Sequence, residues 1–183
     1  MNKKMSKLLL AGAISAVLAG CQGIDTTDKS ASLSLQQMSR VWSPNNVFDK
    51  SAAEIVAFDP ATQQTFVVNS ASSQVDVFDS SDLSSPSYSQ SLNAKANWLQ
   101  AGAINSVDVA NGYVVVAVEN KNKQDNGQVM IYHAADLSFI SRVEVGALPD
   151  MITFIHSGKA ALVAIEGEPS FDYQHDPEGA VGY

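Results

Sequence analysis

The stretch Asn105–Glu119, NSVDVANGYVVVAVE, decides the fold. Asn111-Gly112 stands between two β-rich runs, Ser106–Val109 and Tyr113–Glu119. Asn-Gly is a favoured two-residue hairpin turn, because both central residues must take positive φ. The run after it, YVVVAVE, is apolar at nearly every position rather than at alternate ones. Such a strand suits a place between two neighbouring sheets, with both faces buried. The stretch predicts an antiparallel hairpin whose second strand lies deep in a core.

Outward in both directions the pattern repeats. Upstream are Glu54–Phe58, a turn at Asp59-Pro60-Ala61-Thr62, Thr65–Asn69, Gln74–Asp79 and a weaker run, Tyr88–Leu92. Downstream are Gly127–His133 and Phe139–Val145, then Asp150–Ile155, a turn at His156–Lys159, Ala160–Glu166 and Ala180–Tyr183. No stretch beyond Glu54 has helical periodicity. Ile55, Val107 and Met151 open three similar units, at spacings of 52 and 44 residues. In each unit the second strand is apolar: TFVVN, YVVVAVE and ALVAIE. Four short strands repeated at about this period predict an all-β fold, a partial β-propeller of about three four-stranded blades, YVTN/WD40-like, with the last incomplete. A β-sandwich also has many short strands, but it does not explain a repeated four-strand meander. On this reading the strand 2–3 loops share one side with the interblade links. These loops lengthen along the chain, from Ser70–Ser73 through Asn120–Asn126 to Gly167–Glu178. One-sided elaboration is expected where a rigid scaffold carries a contact surface.

The first twenty residues read differently. Lys3, Lys4 and Lys7 precede a thirteen-residue apolar run, Leu8–Gly20. That run is short for a membrane span, which needs about 20 residues. A basic start, an apolar run and small residues mark an export signal. Leu18-Ala19-Gly20-Cys21 resembles the lipobox of bacterial lipoproteins. The resemblance implies a signal peptide over 1–20, a lipidated Cys21, and a membrane partner reached through its acyl chains. Gln22 after the cysteine, by the same resemblance, implies the outer membrane. Residues 21–52 then form a polar tether and a lead-in containing Trp42 and Phe48, and 53–183 form the β domain.

Cys21 is the only cysteine, so no disulfide framework or Cys-containing zinc site is available. Without Lys3, Lys4 and Lys7, eight basic residues face 19 acidic ones, a formal charge of −11. That balance argues against nucleic acid as a partner. A protein or surface ligand is the expected one.

The segments AEIVAFDPATQQTFVVNSASSQVDVFD (Ala53–Asp79), NSVDVANGYVVVAVE (Asn105–Glu119) and GALPDMITFIHSGKAALVAIEGEPSFDYQHDPEGAV (Gly146–Val181) resemble the choice-of-anchor I domain. The resemblance implies a propeller-like module of bacterial surface and secreted proteins, similar to mesenchyme-specific cell-surface glycoproteins. Two departures stand out: the family pattern continues beyond Asp-Pro-Glu-Gly, and its usual Asn before Glu-Gly-Glu-Pro is Ile165 here. The resemblance implies the N-terminal part of a longer protein, and it supplies no settled reaction.

Candidate chemistry concentrates in EGEPSFDYQHDPEG, Glu166–Gly179. Glu166, Glu168, Asp172, Asp176 and Glu178 are candidate ligands for calcium, which takes several oxygen donors. The alternative is a solvated, turn-rich loop whose Phe171 and Tyr173 pack back onto the sheet. Asn69, Glu119 and Glu166 close the three apolar second strands, and are a candidate strand-end ring or a set of caps. His133, His156 and His175 have no second histidine close by in sequence. No G-x-S-x-G elbow, Ser-x-x-Lys or phosphate loop is present, and no catalytic residue is assigned. The expected function is a binding or scaffold module at the cell envelope. The rival is an N-terminal fragment of a calcium-dependent phosphoesterase, phytase- or alkaline phosphatase-like. Lys121 and Lys123 are the basic residues its longer loops offer for phosphate.

Overall fold

A computed structural model describes residues 34–183. The signal segment, Cys21 and most of the tether lie outside the described residues. Gln36–Tyr183 is one compact unit. Its strands are β1 (Ala53–Asp59), β2 (Gln64–Asn69), β3 (Gln74–Asp79), β4 (Ser87–Leu92), β5 (Ala101–Ala110), β6 (Tyr113–Asn120), β7 (Asn126–His133), β8 (Phe139–Ala147), β9 (Pro149–Ile155), β10 (Ala160–Ile165) and β11 (Ala180–Gly182). They form three antiparallel sheets, β1-β2-β3-β4, β5-β6-β7-β8 and β9-β10-β11, each a simple meander. Among the described residues no sheet closes on itself. The single helical element among them is one 3-10 turn, Ala94–Ala96, capped by the Asn93 side chain.

Most strands fall within two residues of the sequence expectation. The exception is β5, which starts at Ala101, five residues before Ser106. Register shifts between Ala101 and Ile104 and again before Ser106 break the alternation there, which hides the start from any periodicity argument. The turns follow their chemistry. Asn111 and Gly112 take φ of 51° and 79°, as a two-residue hairpin requires. At the β1–β2 turn the Asp59 carboxylate accepts the Ala61 and Thr62 N–H groups at 3.2 Å and the Thr62 hydroxyl at 2.7 Å.

The core divides along β6. Val114, Val116 and Val118 join Phe66, Val68, Val75 and Val77 of the first sheet and Met130 and Tyr132 of β7. Val115 and Ala117 face the other way, onto Ile152, Val163 and Ile165 of the third sheet. Strand period two thus sends one apolar strand into two cores. Each side chain of that size, once buried, contributes about 1.5–3 kcal/mol.

The same sequence signal in β2 and β10 leads to a different outcome. Phe66 and Val68 are buried, but Thr65 and Val67 on the opposite face are only half-buried. In β10, Val163 and Ile165 are buried while Ala164 is exposed. The expectation that all three second strands are covered on both faces is corrected to β6 alone. The first and third sheets each have one neighbouring sheet, so the middle of each second strand is fully buried on one face only; on the outer face of the first sheet Asn69, Asp76 and Phe78 are buried without a second sheet.

The second and third sheets are stitched along their first strands. The Asp108 carboxylate accepts the Phe154 N–H at 2.6 Å and the Thr153 hydroxyl at 3.2 Å. Ser106 Oγ accepts the Ile152 N–H at 3.2 Å, and Asn105 Nδ2 donates to the Pro149 carbonyl at 3.0 Å. These polar contacts hold β9 against β5, while the apolar contact widens outward from them.

Candidate functional site

The β6–β7 and β10–β11 loops lie beside the links between sheets, and the β2–β3 loop lies beside the lead-in, where Ser70 N–H donates to the Ala52 carbonyl. Lys121 N–H donates to the Gln100 carbonyl, and Glu166 and Gly167 N–H groups donate to Leu148 and Ala147. The two longer loops touch each other. Gln124 Nε2 donates to the Glu168 carbonyl at 3.3 Å, and Lys123 Nζ lies 3.7 Å from Glu168 Oε2. Lys123, a candidate phosphate contact, is therefore paired with an acid of the neighbouring loop. On the opposite side, Asn111 Nδ2 donates to the Ser157 carbonyl at 2.5 Å, joining two hairpin turns. The one-sided arrangement of long loops follows from these contacts.

Within the third loop the backbone is folded on itself. Ser170 N–H donates to the His175 carbonyl at 2.7 Å, and His175 N–H donates to Ser170 Oγ at 3.0 Å. Asp172 Oδ1 accepts the Ser170 hydroxyl at 2.7 Å and the Gln174 N–H at 3.1 Å. The Ser170 hydroxyl and the Gln174 N–H hold the Asp172 carboxyl below its usual range. At the tip of this knot Phe171 is fully exposed and Tyr173 is 79% exposed, with φ of 55°. The expectation that these two aromatics pack back onto the sheet is overturned. The knot spends its hydrogen bonds on holding the loop shape and turns both rings outward.

Glu166, Glu168, Asp172, Asp176 and Glu178 all lie in or beside this loop. Asp172 is engaged with Ser170 and Gln174, and Glu168 with Lys123. Among the described residues no group of three or more His, Cys, Asp or Glu is arranged to hold a metal ion. His133 ends β7 with its ring 5.9 Å from Tyr113, His156 sits in the β9–β10 turn at φ 49°, and His175 closes the loop knot.

The strand-end trio is offset by the ladder. Asn69 pairs with Ala53, Asn120 with Ala101, and Ile165 with Pro149, each opposite the first residue of its sheet. Glu119 lies one residue before that level and Glu166 one residue after it, so the three side chains do not share one direction. Glu119 Oε1 accepts the Ala103 N–H at 3.2 Å, and Asn69 Oδ1 accepts the Ser72 N–H at 3.3 Å. The Glu166 side chain is exposed.

Asn69 belongs instead to a polar cluster on the outer face of the first sheet, which sequence reasoning missed. Asp76, 1% exposed, accepts from Asn69 Nδ2 at 2.7 Å, Ser91 Oγ at 2.6 Å and Asn45 Nδ2 at 3.1 Å. Burial pushes the Asp76 carboxyl up, but hydrogen bonds from Ser43, Ser91, Asn69 and Asn45 together hold it below its usual range. The cluster ties the lead-in to β2, β3 and β4. Its signal in the sequence is an acid inside a buried strand, QVDVFD; its partner Asn45 lies 31 residues away.

Comparison with known proteins places the chain. A model of the choice-of-anchor I domain matches residues 54–183. The chain belongs to that family, and a β-rich module of this kind fits a place at the bacterial cell envelope. No curated protein matches the sequence. Among solved structures, a luciferin-regenerating enzyme matches with TM-score 0.55 and 16% identity over 71% of this chain and 43% of its own. Hydrazine synthase from Kuenenia stuttgartiensis matches with TM-score 0.49 and 13% identity over 62% of this chain and 30% of its own. The chain thus spans less than half the length of these solved proteins. At such identities the likeness concerns the fold alone.

Proposed function

We propose that this chain is a lipid-anchored cell-envelope module, built as a partial β-propeller of three consecutive blades, that works by binding or scaffolding through its long-loop face. The blade reading is supported by three meanders stacked face to face, with β5 lying between β1 and β9. The lipobox-like Leu18–Cys21 supports the anchor, and Gln22 after it supports the outer membrane. The observation that carries the functional reading is the loop knot. A segment held by its own hydrogen bonds presents Phe171 and Tyr173 to solvent beside the Lys123–Glu168 pair. Pre-ordered exposed aromatics are efficient contact residues, because little further entropy is lost on binding. The phosphoesterase alternative gains no such support.

Two readouts test this on the full chain in a bacterial host. A clickable fatty acid should label the protein, and Cys21→Ser should abolish both the label and membrane recovery. A photo-reactive phenylalanine analogue at Phe171 should give defined adducts in intact cells, while the same analogue at Phe58 gives none. A lipid-free mature protein, or equal adducts at the two positions, would contradict the proposal.

A further inference from the structure

The lead-in lies over the outer face of the first sheet, and a cavity of about 340 Å³ lies between them. Val41, Trp42 and Ser43 line it from the lead-in. Val67 of β2 and Asp76 and Phe78 of β3 line it from the sheet. The lining is mainly apolar and contains no Lys, Arg or His. Two features meet there. The first is a buried charge without a counterion. Burial pushes the Asp76 carboxyl up, but hydrogen bonds from Ser43, Ser91, Asn69 and Asn45 hold it below its usual range, so it is ionised at neutral pH. Among the described residues the ion pair is Lys123 with Glu168, and Asp76 meets no side-chain cation. The second feature is Trp42, which lines the cavity and is still 67% exposed.

We infer that this cavity binds a small organic cation with a fully methylated ammonium head, held by the Trp42 ring and the charge of Asp76. A buried carboxylate attracts a cation through apolar surroundings without direct contact. A cation over an indole face gains further, and quaternary ammonium groups are recognised in this way. The hydrogen bonds choose among cations. Asp76 Oδ1 already accepts Asn45 Nδ2 at 3.1 Å and Ser91 Oγ at 2.6 Å, and Oδ2 accepts Asn69 Nδ2 at 2.7 Å. A metal ion needs oxygens in direct contact and would have to displace those donors. A primary ammonium brings three N–H donors, each of which needs an acceptor. A methylated head brings none, and its methyl groups suit Val41, Val67 and Phe78. Every lining residue falls between Val41 and Pro86, and the inference is independent of the reading of the long-loop face.

The test is titration calorimetry on the full chain at constant ionic strength, with choline as the probe. The comparison ligand is its neutral carbon analogue, with a tert-butyl group in place of the trimethylammonium head. Choline should bind saturably, and about tenfold more tightly than the analogue. Trp42→Ala should weaken choline binding about tenfold. Asp76→Asn should weaken choline and leave the analogue unchanged. If that variant does not fold, the analogue itself supplies the uncharged comparison. Leu99→Ala, 88% exposed in the link before β5, should leave binding unchanged. Fluorescence gives a second readout, since Trp42 and the buried Trp98 are the two tryptophans. Choline should shift the emission of the wild type and not that of Trp42→Ala. Competition by phosphatidylcholine vesicles would assign the head to a lipid and its absence to a free solute, and both support the site. No saturable binding, equal affinity for the neutral analogue, or binding insensitive to Trp42→Ala would overturn the inference.

Discussion

The interface between the first and second sheets and that between the second and third differ in how far out they close. In the first, Phe66, Val68, Val75, Val77, Val116 and Met130 are all fully buried. In the second, Ile152 and Val163 are buried near β5, but Val143 and Ile140 at the outer end are 54% and 39% exposed. Both interfaces use the same strand type and alternation. Cover by the outer strands of the facing sheet separates them. Burial in stacked sheets is therefore a property of the neighbour as much as of the strand itself.

Truncation should give the largest contrast. Phe66→Ala in the closed interface should cost about 3–5 kcal/mol in denaturant unfolding, from lost transfer energy plus a cavity. Val129→Ala at the open interface should cost less than about 1 kcal/mol, because water can already approach the site. Equal costs would break the distinction between the two interfaces.

The outer face of the first sheet gives the next effect. Asp76→Ala removes the acceptor for Asn45, Asn69 and Ser91 and should cost about 2–3 kcal/mol. The folded-state pKa of Asp76 lies below the ordinary 3.8, so its contribution is present above that value. It is lost as pH falls through the lower folded value. Acid unfolding of the wild type should show this loss, and Asp76→Asn should show less of it.

Tyr132 sharpens the comparison at the alkaline end. Burial in the closed interface pushes its phenol from 10.0 up to about 12. The stabilisation from keeping it neutral is complete below pH 10 and fades as pH rises through about 12. An ultraviolet titration should show one tyrosine ionising late, and Val77→Ala, which loosens that interface, should bring it earlier.

The loop face should give the smallest effects. Lys123→Ala breaks an exposed pair and should change stability by less than about 0.5 kcal/mol. Calcium, compared with a chelator, should shift the melting temperature by less than about 1 °C, since selective binding would raise it by mass action. A rise of several degrees would give the acidic loop an ion and revise its reading as a polypeptide contact surface.

The strand order was legible because its signals are local. Asn111-Gly112, Asp59 with Thr62, and the apolar second strands each act within a few residues. The outward turn of Phe171 and Tyr173 was not legible, since it depends on how Ser170, Asp172 and His175 divide their hydrogen bonds. The Asp76 cluster was hidden by separation, with Ser91 and Asn45 lying 15 and 31 residues away. TFVVN and ALVAIE look alike with or without a covering sheet, so the open interface had no signature in either.

Thiol labelling tests the difference between the interfaces most directly. With Cys21→Ser removing the only native cysteine, Val77→Cys and Val129→Cys would each place one thiol on matching faces of β3 and β7. Under native conditions, a maleimide should modify the cysteine at position 129 rapidly. Position 77 should react only at the rate of unfolding. Equal rates at the two positions would contradict the account, because the second interface would then be as closed as the first.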